Sequence, residues 1–133
     1  MSYVEEAEKC IKELYGTPQS TDGRNGRGWR QKDNKITTSQ IRNLLSGISD
    51  IYNDIVRLDT EELNEAQKDR IRYLKVQFVY AAGRDDKVKV FVEHSGMLEK
   101  LDYALKGKKE FIEMEKYMEA LVAYHRFYGG RGE

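Results

Sequence analysis

Apolar residues recur every three or four positions along most of this chain, a spacing typical of helices with one buried face. The spacing predicts a first helix over residues 2–15. A second helix begins at Thr37, which forms a capping box with Gln40, and its apolar stripe continues to Ile55. Further helices are predicted over residues 65–82, from Asp85 to about Ser95, over residues 97–106 and from Lys108 to about Phe127. In the segment from Asp85 to Ser95, the alternation of Val88, Val90 and Val92 also fits a strand.

The most apolar run, residues 73–84, fits two secondary structures. As a strand it would place Leu74, Val76 and Phe78 on one face. As a helix it would bury Leu74 and Phe78 and still carry apolar residues on its other sides, so that other elements would contact it from several directions. The residues on those other sides are Tyr73, Val76, Val79 and Tyr80.

Local signals around this run favour the helix. Asn64 and Gln67 form a second potential capping box, and neither glycine nor proline interrupts residues 65–82. A strand would have to begin inside that run without a turn residue before it. Gly83 suits the position that follows a helix C-terminus. The sequence therefore predicts a central helix over residues 65–82 that ends at Gly83.

Residues 16–35 differ in composition from the rest of the chain. They contain the only proline, four glycines and no aliphatic residue, with five basic side chains against two acidic ones. Such a segment predicts a mobile or functional loop. Arginines interleaved with Trp29 can hold a phosphate backbone and stack on a base. The alternative is a solvated linker whose Trp29 packs onto the domain, and the sequence alone leaves both open.

The overall composition limits the classes of function. A chain of 133 residues suits a single helical domain, here followed by a short glycine-rich tail from Gly129. No apolar run approaches the roughly 20 residues of a membrane span. The lone Cys10 forms no internal disulfide and is expected to be a packing residue, which favours a reducing cytoplasm. The 23 basic and 23 acidic residues balance, which argues against coating nucleic acid by bulk charge but allows a local basic strip.

The sequence contains no recognisable catalytic constellation. Its two histidines and one cysteine lack the spacing of metal ligands, and no phosphate-binding glycine loop is present. We therefore expect no enzyme activity, no cofactor and no metal. The class of function that remains is binding of a partner through basic residues. Arg84 is prominent because it follows Gly83, and Lys75 because it lies beside an apolar stripe and must extend to solvent or meet an anion.

Three stretches, taken together, resemble the small subunit of type III-A CRISPR effector complexes, the Csm complexes. They are residues 35–45, 73–84 and 116–130, in the same order and at similar spacing. Residues 16–34 are the part that matches this family least. The resemblance implies an all-α bundle of roughly five or six helices, with residues 73–82 helical. It also implies a role without catalysis, since cleavage of the target belongs to other subunits.

The resemblance implies further that copies of the chain form an inner filament along the duplex of crRNA and target RNA, with homodimers possible in isolation. RNA contacts of this kind go to the backbone and are independent of sequence. Other Csm subunits are the expected protein partners. The alternative is a helical adaptor that binds only protein. The residues implied to contact RNA or a neighbouring subunit are Lys35, Thr38, Arg42, Lys75, Arg84 and Arg126.

Overall fold

The structure, a computed structural model, describes residues 3–15 and 36–128. This part of the chain is all-α and contains no strand, which confirms the predicted fold class. None of its helices is long and apolar enough to cross a membrane. In chain order the helices are α1 (Tyr3–Tyr15), α2 (Thr38–Ile55), α3 (Glu65–Arg84), α4 (Asp86–Ser95), α5 (Met97–Ala104) and α6 (Lys108–Phe127).

The last helix, α6, lies at the centre of the core and packs against α1, α2 and α5. Its inner face buries Phe111, Tyr117 and Leu121 almost completely. Cys10 of α1 is buried, as predicted for a packing residue. Burial, and after it the charge of Glu13, raise the pKa of its thiol to about 12. The thiol therefore stays protonated at neutral pH and is not a reactive nucleophile.

Two helix starts form as the sequence predicts. At α2 the Thr37 hydroxyl accepts the backbone N–H of Gln40 at 3.1 Å, and the Gln40 side chain accepts the N–H of Thr37 at 2.9 Å. At α3 Asn64 and Gln67 form the same reciprocal pair at 2.8 and 2.9 Å. Each box satisfies two N–H groups that a helix start would otherwise leave without partners.

The predicted end of α3 is wrong by two residues. Gly83 lies inside the helix, which continues through Arg84. Asp85 ends α3 with an extended backbone (φ −145°), and its carboxylate accepts the N–H of Lys87 at 2.8 Å to begin α4. A single aspartate thus separates two helices, and the glycine is not needed for the turn. Gly96 (φ 71°) does take a left-handed conformation, between α4 and α5.

The prediction that α3 is a central helix is also wrong. Its buried residues are Ile71, Leu74 and Phe78, which face α2, α4 and α5. Its apolar residues on the other side face solvent, so α3 lies at the edge of the bundle. Apolar residues occur on all faces of α3, and the sequence alone did not show that only one of these faces packs against other helices of the chain. The exposed residues are Tyr73, Val76, Val79 and Tyr80.

The apolar residues of the last two helices differ in burial. Leu98 of α5, Leu105 directly after it, and Ile112 and Val122 of α6 are only half-buried. Met97, Ala104, Met114 and Tyr117 fill the neighbouring core positions instead. The predictions for the loop at 16–35, including Trp29, and for the glycine-rich tail lie outside the described residues.

Candidate nucleic-acid interface

The start of α2 is joined to the end of α6 by a buried hydrogen bond. Thr38 Oγ1 and His125 Nε2 lie 3.1 Å apart, and the two side chains are 3% and 0% exposed. Such a pair holds both helices in one position, because separating it would leave polar groups without partners in the core. Thr38 therefore does not expose its side chain to solvent. Its hydrogen bond instead fixes the position of the surface residues near it.

The start of α2 is also joined to the junction of α3 and α4. The side-chain amide of Gln40 donates a hydrogen bond of 2.8 Å to Asp85 Oδ2. The pKa of the Asp85 carboxyl is lowered, first by the backbone N–H of Lys87 and then by the hydrogen bond from Gln40. Asp85 is therefore ionised at neutral pH. Gln40 thus serves both the capping box of α2 and the contact to the next helix pair.

Three of the basic residues selected from the sequence are close along the chain to the residues that these two contacts join. Arg42 lies one helical turn after Thr38, Arg84 directly precedes Asp85, and Arg126 directly follows His125. All three side chains are exposed. Within residues 3–15 and 36–128, none of them forms an ion pair with a carboxylate. We call Arg42, Arg84 and Arg126 the arginine cluster.

The surroundings of the arginine cluster favour an anion. The Arg84 guanidinium lies 5.6 Å from the centre of the Tyr80 ring, a cation–π contact that limits its motion and leaves its N–H donors available. The N-terminus of α2 adds a partial positive charge. A shallow cavity of about 280 Å³ is lined by Asn43, Ala81 and Arg84, and also by the Asp85 carboxylate, which Gln40 and the N–H of Lys87 already hold. One guanidinium group can bind a phosphate through two parallel N–H···O hydrogen bonds.

The other candidates from the sequence do not join this cluster. Lys75 donates to both carboxylate oxygens of Asp102 at 3.0 Å, and its side chain is 36% exposed. It lies nine residues before Arg84, a separation of about 13 Å along a helix. Lys35 is outside the described residues. No group of histidine, cysteine, aspartate or glutamate side chains suited to a metal occurs in the described part of the chain.

Sequence reasoning missed the two residues that organise the cluster. Asp85 was interpreted only as the start of a helix, and His125 is one of the two histidines that were noted only for lacking the spacing of metal ligands. The available signal was indirect: each is adjacent to a basic residue that the family resemblance selected. Their partners are 45 and 87 residues away along the chain, and local patterns contain no information on such pairings.

Comparison with known proteins agrees with the resemblance. The family model described as Csm2 Type III-A matches residues 24–131. The chain is 40% identical to the "CRISPR system Cms protein Csm2" of Streptococcus thermophilus over 98% of its own length and 93% of that protein. It is 42% identical to the protein of the same name from Enterococcus italicus, over 71% of this chain and 69% of that protein. The Mycobacterium tuberculosis protein of that name is 35% identical, over 76% and 83% respectively.

Proposed function

The chain belongs to the Csm2 family, the small subunit of type III-A CRISPR systems, and from that premise we propose that it holds the duplex of crRNA and target RNA by contacts to the phosphate backbone. Several copies would lie along the duplex within an effector complex that contains other Csm subunits. This role is non-catalytic: the chain contributes positive charge and shape, and other subunits perform the chemistry of antiviral defence.

The proposal rests on the positions of Arg42, Arg84 and Arg126 relative to the contacts at the start of α2. Each comes from a different helix, and none forms an ion pair with a carboxylate among the described residues. Unpaired guanidinium groups that are scattered on a surface are ordinary. These three lie within four residues along the chain of the residues that the buried hydrogen bond and the contact between Gln40 and Asp85 join, and we infer that they act as one phosphate-binding surface.

A backbone contact of this kind suits a guide-directed complex. The subunit has to accept every guide and target sequence, so base-specific hydrogen bonds would be a disadvantage. Arginine binds phosphate oxygens with two parallel N–H groups, and this recognition is identical for all four nucleotides. The proposed surface therefore recognises the spacing of phosphates in the duplex and is indifferent to its sequence.

The remaining candidates take secondary roles in the proposal. Thr38 acts as a positioning residue through His125 and does not touch RNA. Lys75 contacts RNA only where a phosphate displaces Asp102. Lys35 lies outside the described residues and stays a prediction from the family resemblance.

The proposal is tested by measuring the affinity for a guide–target RNA duplex by fluorescence anisotropy at one fixed salt concentration. The variant carries Arg42→Ala, Arg84→Ala and Arg126→Ala together. We expect its affinity to fall at least about tenfold, which corresponds to about 1.4 kcal/mol. The loss should be the same for two duplexes of unrelated sequence.

A matched control removes the same three positive charges elsewhere. Arg57, Arg72 and Lys109 are exposed and lie near the opposite helix ends, after α2, early in α3 and at the start of α6. Their triple alanine variant should bind the duplex as the unmodified chain does. Equal losses in both triple variants would show that net charge alone matters. An unchanged affinity in the cluster variant would favour an adaptor that binds only protein.

A further inference from the structure

The cavity beside Arg84 contains a negative charge that a site for phosphate alone does not need. Arg84 and the half-buried Asp85 both line this cavity of about 280 Å³. An ionised carboxylate repels a phosphate group, and it can only accept hydrogen bonds. The cavity therefore suits a neutral group that donates a hydrogen bond, next to the phosphate proposed for Arg84.

Asp85 can still accept a hydrogen bond from such a group. Its Oδ1 accepts the backbone N–H of Lys87 at 2.8 Å, and its Oδ2 accepts the side-chain amide of Gln40 at 2.8 Å. These two bonds hold the carboxylate in a fixed position. Because an ionised carboxylate offers about four acceptor sites, they leave capacity for a further donor.

Asn43 provides a second polar group in the same cavity. Its side chain is exposed, and among the described residues it forms no hydrogen bond. An amide side chain both donates and accepts hydrogen bonds. Leu44, Ala81 and Val88 make the rest of the lining largely apolar. This combination suits a small carbon skeleton that carries a hydroxyl group, as a sugar does.

The ribose of an RNA strand provides a group of this kind. Its 2′-hydroxyl both donates and accepts hydrogen bonds, and it distinguishes RNA from DNA. An A-form duplex displays the 2′-hydroxyls along its wide and shallow minor groove. Since a phosphate follows each ribose, the adjacent side chains of Arg84 and Asp85 suit a phosphate and a hydroxyl that are adjacent along one strand.

The amino groups of the bases also donate hydrogen bonds, but they fit the cavity less well. They differ from one base pair to the next, so that recognition through them would make binding depend on sequence. A subunit of a guide-directed complex has to accept every sequence. The 2′-hydroxyl is present on every ribonucleotide, and its recognition therefore preserves independence of sequence.

We infer that Asp85 and Asn43 bind the 2′-hydroxyl of the ribose next to the phosphate that Arg84 contacts. Asp85 accepts the hydrogen bond of the hydroxyl, and the Asn43 amide donates a hydrogen bond to its oxygen. These two residues make the subunit prefer a duplex that carries 2′-hydroxyls. The inference rests on the proposed function, because it requires that the duplex binds at the start of α2.

The test compares two short guide–target duplexes of identical sequence, one of RNA and one with 2′-fluoro sugars throughout. Fluorine keeps the A-form geometry of the duplex but cannot donate a hydrogen bond, so the comparison isolates the hydroxyl. Fluorescence anisotropy at one salt concentration gives the affinity of the full chain for each duplex. We expect the unmodified chain to bind the RNA duplex about tenfold more tightly, as for one hydrogen bond to a charged group.

Asn43→Leu and Asp85→Asn should each reduce this preference to about threefold or less, because each removes one part of the hydroxyl site. Asparagine also caps helices well, so Asp85→Asn retains the start of α4. In this variant the affinity for the fluorinated duplex should stay equal or rise, since a repulsive charge is removed. A misplaced helix would instead weaken the binding of both duplexes.

Two controls separate the hydroxyl from the phosphate. Asn53→Leu, at another exposed position of α2, is the matched control for Asn43→Leu and should keep the full preference. Arg84→Gln should weaken the binding of both duplexes by the same factor and leave the preference unchanged, because the phosphates of the two duplexes are identical.

Three outcomes would overturn the inference. Equal affinity of the unmodified chain for both duplexes would show that no hydroxyl is recognised. The proposed function would survive that result if loss of the arginine cluster still weakened the binding of both duplexes. A preference that Asn43→Leu and Asp85→Asn leave unchanged would place hydroxyl recognition elsewhere on the chain. Binding of neither duplex would overturn the proposed function and this inference together.

Discussion

Glu115 shows how a single residue can escape sequence analysis. It lies on α6 among charged neighbours, which predicts a solvated position, yet its side chain is only 2% exposed. Within the described residues its Oε1 has no hydrogen-bond partner. Burial, and after it hydrogen bonding with Glu119 and the charge of Glu119, raise the pKa of its carboxyl to about 8. The protonated form is therefore favoured in the folded state.

This raised pKa predicts a pH-dependent stability. Because the folded pKa lies above the unfolded value near 4.5, the contribution of Glu115 is fully present below that pH and is lost as the pH rises through about 8. Glu115→Gln cannot ionise. We expect the variant to be more stable than the unmodified chain by about 2 kcal/mol at pH 9 and nearly equal to it at pH 5.

Urea unfolding at both pH values measures the difference. Glu99→Gln is the control, because Glu99 is exposed and its replacement should give the same difference at both values. If the Glu115→Gln difference is also independent of pH, the side chain is ionised in the folded state and the assignment of a neutral carboxyl is wrong.

The arginine cluster shows how far individual residues of the candidate site can be predicted from the sequence. The family resemblance selected Arg42, Arg84 and Arg126 from the 23 basic residues. It selected Lys75 and Thr38 with equal weight, although one is paired with Asp102 and the other is buried. The difference between them depends on contacts between distant parts of the chain, and a sequence pattern contains only the local part of that information.

At the scale of elements, signals confined to a few residues were reliable. The capping boxes at Thr37 and Asn64 form with both reciprocal bonds, because all the atoms involved lie within one turn. Gly83 was interpreted as a helix end, although Asp85 provides that end by capping α4. The position of α3 in the bundle was predicted wrongly for another reason. When apolar residues occur on all faces of a helix, the sequence does not show which face packs against the other helices.

The start of α6 forms hydrogen bonds with the loop between α2 and α3, which contains neither helix nor strand. Lys108 donates its backbone N–H to the carbonyl of Glu61 at 2.8 Å, and Lys109 donates to the Glu61 carboxylate at 3.1 Å. The Lys108 ammonium also donates to the carbonyl of Leu58 at 2.6 Å. The loop before α3 thus satisfies the N–H groups that the helix start leaves open.

Gly107 allows this loop to approach α6. A Cβ atom there would lie 2.9 Å from the carbonyl oxygen of Glu61, a backbone atom that cannot move away alone. We expect Gly107→Ala to lower the free energy of unfolding by about 1–3 kcal/mol, since the loop must shift and its bonds to α6 lengthen. Thermal unfolding measures the effect.

Gly83→Ala is the matched control for Gly107→Ala. Nothing lies within 4 Å of a Cβ at Gly83, so this replacement should raise the melting temperature through its better helix propensity. A Gly107→Ala chain that is as stable as the unmodified one would mean that the loop adapts without loss, and that Glu61 does not fix the start of α6.

At the scale of the whole molecule, the balanced charges are unevenly distributed. The arginine cluster gathers at the start of α2, whereas an open cavity of about 780 Å³ between α1, α4, α5 and α6 is lined by four carboxylates. Lys100 is the one basic residue in that lining. If the proposed function is right, this uneven distribution would orient the chain toward its anionic partner while the net charge stays zero. The four carboxylates are Glu6, Glu93, Glu99 and Glu113.

The salt dependence of duplex binding tests whether the cluster acts as three separate phosphate contacts. Each contact releases counterions, so the slope of log affinity against log salt concentration falls by about one for each contact removed. Arg42→Gln, Arg84→Gln and Arg126→Gln should each reduce the slope by about one, and Arg72→Gln should leave it unchanged, because Arg72 is already paired with Asp69. Lys75→Gln should change it by less than one, since Asp102 competes for its charge. Equal small changes in all five variants would mean that duplex binding depends only on the overall electrostatic field of the protein, and that the arrangement of residues around α2 does not contribute.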